Sequence, residues 1–320
     1  MVTEYEEALA AHFGSRQAIS VNSGSAAIQA ALTALGAGPG KSVLVSAAAP
    51  LPSLLPIAAT GATPRFVDCH RDNPGMDPGA PSFRVDATTV AALEVPLWGY
   101  PIDYEPLRCA LGSTPLVEDA AQAHGATVSG RFVGSFGEFG CFSTHQKKFL
   151  STGEGGFILT DDPDLAERAK RFARLGGLQG RSPGMNFKIS AFTAAVGLAR
   201  LEKLDAVVRQ RRAAREALLA TLRPAGFAEV SHVGEPNGYG CVVDCRPAGV
   251  DHERLFRAGI ETDVHKYGYR VANTHPLFAS AAGEFPKASS LIANTVQLTT
   301  GAEAADVATR FLTAVPAPQG

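Results

Sequence analysis

The chain has 320 residues, with 29 Lys and Arg against 31 Asp and Glu and a formal net charge of −2. That balance excludes the basic stripe of a nucleic-acid binder and the like-charge run of an acidic tail. No apolar run approaches the roughly 18 residues that cross a bilayer, and the opening MVTEYEEALAAHFG is acidic and amphipathic where a signal peptide is basic. The expectation is a cytoplasmic protein with neither nucleic-acid nor membrane partners, long enough for one large or two modest domains.

In chain order, short apolar strands alternate with helical patterns. AISV at 18–21 reads as a strand, and Ser25 to Leu35 carries the apolar spacing of a helix face. VLVSA at 43–47 is a second strand and Pro52 to Thr60 a short helix; RFVD at 65–68, LEVPLW at 93–98 and PLVED at 115–119 continue the strand series. This rhythm predicts an α/β fold with an open, mostly parallel sheet covered by helices, and ligands gather beyond the carboxyl ends of such strands. Residues 191–222 show one breaker, Gly197, and are expected to form one long helix. After Arg223-Pro224 the chain turns mixed, with strands at 241–244 and 294–298 and a helix at 250–258. The expected division is a large domain over 1–223 and a small α/β domain over 224–320.

Two features are set aside. GAGPGKS at 36–42 imitates a nucleotide-binding loop, but the first glycine of that motif would fall on Leu35, and a helix precedes it rather than a strand. Its glycines are expected to end the helix in a left-handed cap. The five cysteines (Cys69, Cys109, Cys141, Cys241, Cys245) include no pair matched by a second pair or by histidines at ligand spacing. Reduced core thiols and no metal are therefore expected.

Three short segments carry the chemistry. In VEDAAQAHGA (117–126), Asp119 falls at the carboxyl end of a strand. In VNSGSAAIQAAL (21–32), Ser23-Gly24-Ser25 opens a helix whose free N–H groups suit a phosphate. In STHQKKFLSTGEGG (143–156), Lys147 and Lys148 precede a glycine-rich turn. Asp119 and Ser23 alone read equally as helix caps. Together, a phosphate cradle, a carboxylate and a lysine are what a pyridoxal phosphate site needs.

The order of EDAAQAHGA, GRFVGSFGEFGCFS, KKFLSTGEGG and GMNFKISAFTAAVGLARLEKLD, with VPLWGYPIDYEPL between and RAGIET and VHKYG after, resembles the DegT/DnrJ/EryC1/StrS family of pyridoxal-phosphate aminotransferases acting on sugars and aminocyclitols. The resemblance implies the fold type I architecture of pyridoxal-phosphate transferases. It also implies a ping-pong transfer of an amino group, from a donor such as glutamate or glutamine to a keto sugar, keto-cyclitol or related ketone, through an internal aldimine and pyridoxamine phosphate. The family's Schiff-base lysine lies five residues after a phosphate-binding serine and five before the first glycine of GEGG. Lys148 meets both counts from Ser143 and Gly153; Lys147 misses both and is expected to be solvated or salt-bridged.

By the same resemblance Asp119 faces the pyridine nitrogen and Gln122 the phenolic oxygen, and Gly24, Ser25 and Ser143 hold the phosphate. Asn186 reaches the phosphate of a partner subunit, which implies a homodimer with a shared site. His265, Lys266, Tyr267 and Arg270 are candidates for substrate contact, and Glu154 for ordering the turn after Lys148. Where the family sets an aromatic residue over the cofactor ring, this chain has Pro50, so Trp98 and His124 are candidates for the cover. The segment from Asp68 to Val95 is short for the family. Two alternatives stay open: another reaction on the same cofactor (a lyase, racemase or condensing enzyme), and a non-catalytic binding or regulatory relative. Relatives that dehydrate deoxysugars carry histidine in place of the lysine, and Lys148 argues against them.

Overall fold

The computed structural model describes residues 1–180, 182–279, 281 and 283–316. The strands are β1 (Gln17–Val21), β2 (Ser42–Ser46), β3 (Thr63–Val67), β4 (Thr89–Glu94) and β5 (Leu116–Asp119), then a two-stranded ribbon of β6 (Thr127–Val128) and β7 (Arg131–Phe132). They continue with β8 (Phe139–Ser143), β9 (Gly156–Thr160), β10 (Ala228–Glu229), β11 (Cys241–Asp244) and β12 (Thr295–Leu298). The helices are α1 (Val2–Phe13), α2 (Gly24–Ala34), α3 (Leu51–Ala59), α4 (Tyr104–Leu111), α5 (Pro163–Ala173), α6 (Ala191–Leu201) and α7 (Leu204–Leu222), followed by α8 (His252–Arg257), α9 (Asp263–Tyr267), α10 (Pro286–Asn294) and α11 (Ala304–Ala314).

Seven strands form one sheet in the order β1-β9-β8-β5-β4-β2-β3. The five from β8 to β3 are parallel, and β9 runs against both its neighbours. Alternation along the strands sends side chains to both faces. Val43 and Val45 join one apolar cluster with α2, α3 and α5, whereas Leu44 joins the other with α1 and α4. A sheet covered on both sides needs apolar residues throughout its central strands, and β2, β5, β8 and β9 are buried at every position. The helix before GAGPGKS ends as expected, with Gly36 at φ 90° and the Ala37 N–H donating back to the Leu32 carbonyl.

A second, three-stranded antiparallel sheet, β10-β11-β12, carries its own apolar cluster with α7, α8 and α11. The segment between α9 and β12 does not join that cluster. Tyr269, Ala272, Phe278, Ala288 and Leu291 pack into the core of the large sheet, and the Asp68 carboxylate accepts the Lys287 and Ala288 N–H groups at the start of α10. Among the described residues, no helix is long and apolar enough to cross a membrane.

Two expectations need correction. The strand read as LEVPLW starts earlier and stops at Glu94. Pro96 has no N–H to continue a ladder, and Leu97–Gly99 make a tight turn in which Trp98 takes φ 59°. The single helix expected over 191–222 breaks at Glu202 and Lys203. The break lets Leu201 and Leu204 both stay buried while α6 packs on α1 and α7 leaves for the small sheet.

Gly197 explains why α6 can approach α1 so closely: a Cβ there would stand 2.6 Å from Tyr5 Cε2. Gly197→Val should destabilise the protein by about 2 kcal/mol through overpacking, read as a lower denaturation midpoint. An unchanged midpoint would mean that Tyr5 moves aside freely.

Candidate active site

β1 is antiparallel to β9 and β9 to β8, so β1 points the same way as β8, β5, β4 and β2, and their carboxyl ends meet at one edge. The register pairs Val21 with Gly156 and Gly156 with Ser143, which brings the turn after β1 beside the end of β8. Ser23 caps α2 by accepting from the Ala26 N–H at 3.1 Å. Gly24 approaches Ser143 so closely that a Cβ would stand 2.8 Å from Ser143 Cβ. The first N–H groups of a helix have no acceptor within it, so Gly24 and Ser25 together with Ser143 form a corner rich in donors.

Gly24, Ser25 and Ser143 are outside the wall of a cavity of about 890 Å³ but border it through Ser25 Oγ, which donates to the carbonyl of the wall residue Pro52 at 3.5 Å. The cavity is near the upper end of the roughly 300–1,000 Å³ usual for ligand sites. Asp119, Gln122 and Lys148 line it. Asp119 leaves β5 as its last residue and is 6% exposed. Its Oδ2 accepts from Ser53 Oγ at 2.5 Å and its Oδ1 from the Ala121 N–H at 3.2 Å. Burial pushes its pKa up, and the Ser53 and Ala121 hydrogen bonds and the nearby Lys148 charge pull against that. Lys148 sits in the turn between β8 and β9, its Nζ 3.5 Å from Tyr239 Oη and 5.1 Å from the centre of that ring. Burial pulls its pKa down to about 8; Asp119 and Asp263 oppose this, and Lys147 adds to it.

The turn itself is held by Thr144 and Thr152, whose hydroxyls meet at 2.6 Å, and by Thr152 Oγ1 donating to the Glu154 carbonyl at 2.9 Å. The Glu154 carboxylate, expected to order the turn, is exposed and only nears His145 at 3.7 Å. Lys147 is exposed, lines the cavity and donates to Tyr267 Oη at 3.2 Å.

The substrate candidates divide by helix face. Asp263, Lys266 and Tyr267 share one face of α9 at spacings of three and four and line the cavity. His265 points the other way, stacked on Phe256 with ring centres 3.8 Å apart. Arg270 is exposed and outside the cavity wall. The structure therefore brings Tyr267 to the site, and neither His265 nor Arg270. The Asn186 side chain is exposed and accepts from Lys188, while its carbonyl lies 3.5 Å from Asn22 Nδ2. In its own chain it is near the donor corner without entering the cavity.

Pro50, which replaces the family's aromatic residue, is in the wall, and of the two candidates for ring cover so is Trp98. His124 is not: it is 1% exposed, edge-on to Phe142, and burial pushes its pKa down to about 3. The sequence reading missed Ser53, Tyr239, Asp263 and Asn237. Asn237 donates to the Gln122 and His124 carbonyls at 2.8 and 2.9 Å and accepts from the Tyr239 N–H at 2.9 Å, which delivers Tyr239 to Lys148. Only Asp263 left a sequence signal, its place on one helix face with Lys266 and Tyr267.

The residues fit pyridoxal phosphate. The donor corner suits its phosphate, the buried carboxylate suits a protonated ring nitrogen, and an amine of lowered pKa suits its aldehyde. Among the described residues, no group of His, Cys, Asp and Glu is arranged to hold a metal ion.

Comparison with known proteins agrees. A curated relative, the dTDP-3-amino-3,4,6-trideoxy-alpha-D-glucose transaminase of Streptomyces venezuelae, is 35% identical over 310 residues, covering 93% of this chain and 81% of its own. The crystal structure of S. venezuelae DesV superposes with a TM-score of 0.84 at 32% identity, covering 98% of this chain and 87% of its own. That of the sugar aminotransferase CalS13 from Micromonospora echinospora gives 0.86 at 28% identity, covering 98% and 91%. The family model matches residues 1–310: the chain belongs to the DegT/DnrJ/EryC1/StrS aminotransferase family and is a pyridoxal-phosphate-dependent aminotransferase with that family's α/β transferase fold.

Proposed function

We propose that this enzyme moves an amino group from glutamate or glutamine to the ketone of a sugar or a related cyclitol, in two half-reactions with the donor leaving before the acceptor binds. The observation that carries this reading is the placement of Lys148 and Asp119 in one cavity. Bound pyridoxal phosphate supplies the electron sink that makes an amino acid's Cα–H acidic. With it bound, neutral Lys148 Nζ would be the base placed to move the Cα proton, the Asp119 carboxylate would hold a proton on the pyridine nitrogen, and Gln122 would face the phenolic oxygen. Gly24, Ser25 and Ser143 take the phosphate.

The division of labour we propose gives residues 1–223 the cofactor and 224–320 the opposite wall. The unit is a homodimer. Leu178 and Phe192 are 80% and 85% exposed and Met185 and Val196 47% each, an apolar surface that a second copy would cover. Asn186 lies within this segment, and by the family resemblance would contact the partner subunit's phosphate. The reaction belongs to biosynthesis in the cytoplasm, a setting in keeping with five free cysteines. A keto sugar linked to a nucleotide diphosphate is the first acceptor to try. The relative from Streptomyces venezuelae is named for a dTDP-linked amino sugar, and Arg211 lines the cavity over the Phe149 ring without an ion-pair partner among the described residues.

The test is the visible spectrum of the protein with pyridoxal phosphate, before and after glutamate or glutamine. Loss of the yellow band with either donor, and its return with a keto sugar, is the expected result. A band that no amino acid discharges would favour another reaction on the same cofactor, and no band at all a binding protein.

A further inference from the structure

Trp98 is the chain's only tryptophan, and its backbone conformation is unusual. A bulky residue at φ 59° costs about 1–3 kcal/mol, so something must hold it there. Two hydrogen bonds do. The Trp98 N–H donates to Gln122 Oε1 at 2.5 Å, and the indole Nε1–H donates to Asp263 Oδ2 at 2.7 Å. Tyr269 packs edge-on against the indole, with ring centres 6.1 Å apart.

The first bond fixes the Gln122 amide. Only its oxygen can accept from an N–H, so its NH₂ end is the one left over, and among the described residues it has no acceptor in the chain. The second bond reaches across 165 residues of sequence, from the turn after β4 to the start of α9. Asp263 is thus one point at which the α9 segment grips the floor of the cavity.

We infer that Asp263 is a positioning residue: by accepting from the Trp98 indole it keeps the Trp98 amide on Gln122 Oε1, and so turns the Gln122 NH₂ group into the cavity where the cofactor binds. The inference rests on the cofactor reading above and extends it to three residues acting in series. Asp263 touches no reacting atom in this scheme. On Gln122 it acts through Trp98, apart from the charge it presents to Lys148.

The single tryptophan makes the link directly measurable. In the cofactor-free protein, Asp263→Ala should move Trp98 emission to longer wavelength and make it easier to quench with acrylamide. Asp263→Asn should keep the parent emission, because an amide oxygen accepts the same bond. With pyridoxal phosphate, Asp263→Ala should raise the cofactor's dissociation constant about tenfold, the scale of one hydrogen bond to a charged group. It should also change the balance of the cofactor's visible bands in the direction that Gln122→Ala does, and the double variant should change it no further.

Unaltered Trp98 emission in Asp263→Ala would overturn the inference, as would additive effects in the double variant. So would an Asp263→Asn protein with parent emission but the band balance of the alanine variant, since that pattern assigns the effect to charge alone. If the parent itself gave no visible band, the cofactor reading would fail, while the emission of the cofactor-free protein would still decide the bond between Asp263 and Trp98.

Discussion

Lys148→Ala is expected to lower turnover by about 10⁴-fold, the upper range for a positioned acid–base group, and to bind pyridoxal phosphate without the yellow band of a lysine-linked cofactor. Lys147→Ala should keep both the band and most of the activity, since its amine meets only Tyr267 Oη at the cavity mouth. The neutral amine is the nucleophile. Cofactor capture by the parent should therefore accelerate as pH rises through about 8, the value to which burial brings Lys148, and then level off. The same burial has a stability consequence. The folded chain binds fewer protons at Lys148 than the unfolded chain between about pH 8 and the ordinary lysine value of 10.5, so folding stability rises with pH through that window. At pH 7 the difference is worth up to roughly 3 kcal/mol. Lys148→Met should accordingly stabilise the cofactor-free protein at pH 7, with an advantage that fades by pH 10. The reverse pattern, with Lys147 giving the band and Lys148 dispensable, would shift the register by one residue and undo the assignment.

What the sequence made legible was local. The count to Ser143 and Gly153 singled out Lys148 over Lys147 for the cofactor, and Lys148 is the more enclosed of the two. Serine, lysine and turn all lie from the end of β8 to the start of β9, where spacing along the chain nearly fixes spacing in the fold. Asp119 was legible because a polar residue ending an apolar strand has few places to be except the edge where ligands collect. The helix over 24–34 was legible from its cap and its apolar face. The break at Glu202 was not, because its cause is the separate packing of α6 on α1 and of α7 on the small sheet. The same holds for Ser53 on Asp119, Tyr239 beside Lys148 and Asp263 on Trp98, contacts that cross 66, 91 and 165 residues. No period or motif encodes them; they exist only once the sheet and its neighbour have closed on each other. His265 misled for the complementary reason. A run of polar residues such as VHKYGYR reads as one cluster in sequence, whereas a helical turn of α9 sends Asp263, Lys266 and Tyr267 inward and His265 against Phe256.

Asp119→Asn should separate two effects that a generally damaged site would lose together. The substitution keeps the shape of the side chain and an oxygen to accept from Ser53, but removes the charge. Opposite charges about 4 Å apart are worth about 4 kcal/mol at an intermediate dielectric, so without the carboxylate, turnover should fall by roughly 10³-fold. Cofactor capture should respond in the opposite sense. Asp119 is the largest influence holding the Lys148 pKa up against burial, so its loss moves that pKa further down and leaves more neutral amine at pH 7. Asp119→Asn is thus expected to capture pyridoxal phosphate at neutral pH at least as fast as the parent, with the pH profile of capture displaced to lower pH, and still to turn over poorly. Ser53→Ala should be milder. It removes one hydrogen bond from the same carboxylate and leaves its charge, and a loss of about 10- to 100-fold matches one bond to a charged group. If capture and turnover fell in parallel in Asp119→Asn, the carboxylate would be a structural support of the cavity floor. If turnover held while the capture profile moved, Asp119 would tune Lys148 alone, and the proton on the ring nitrogen would need another keeper.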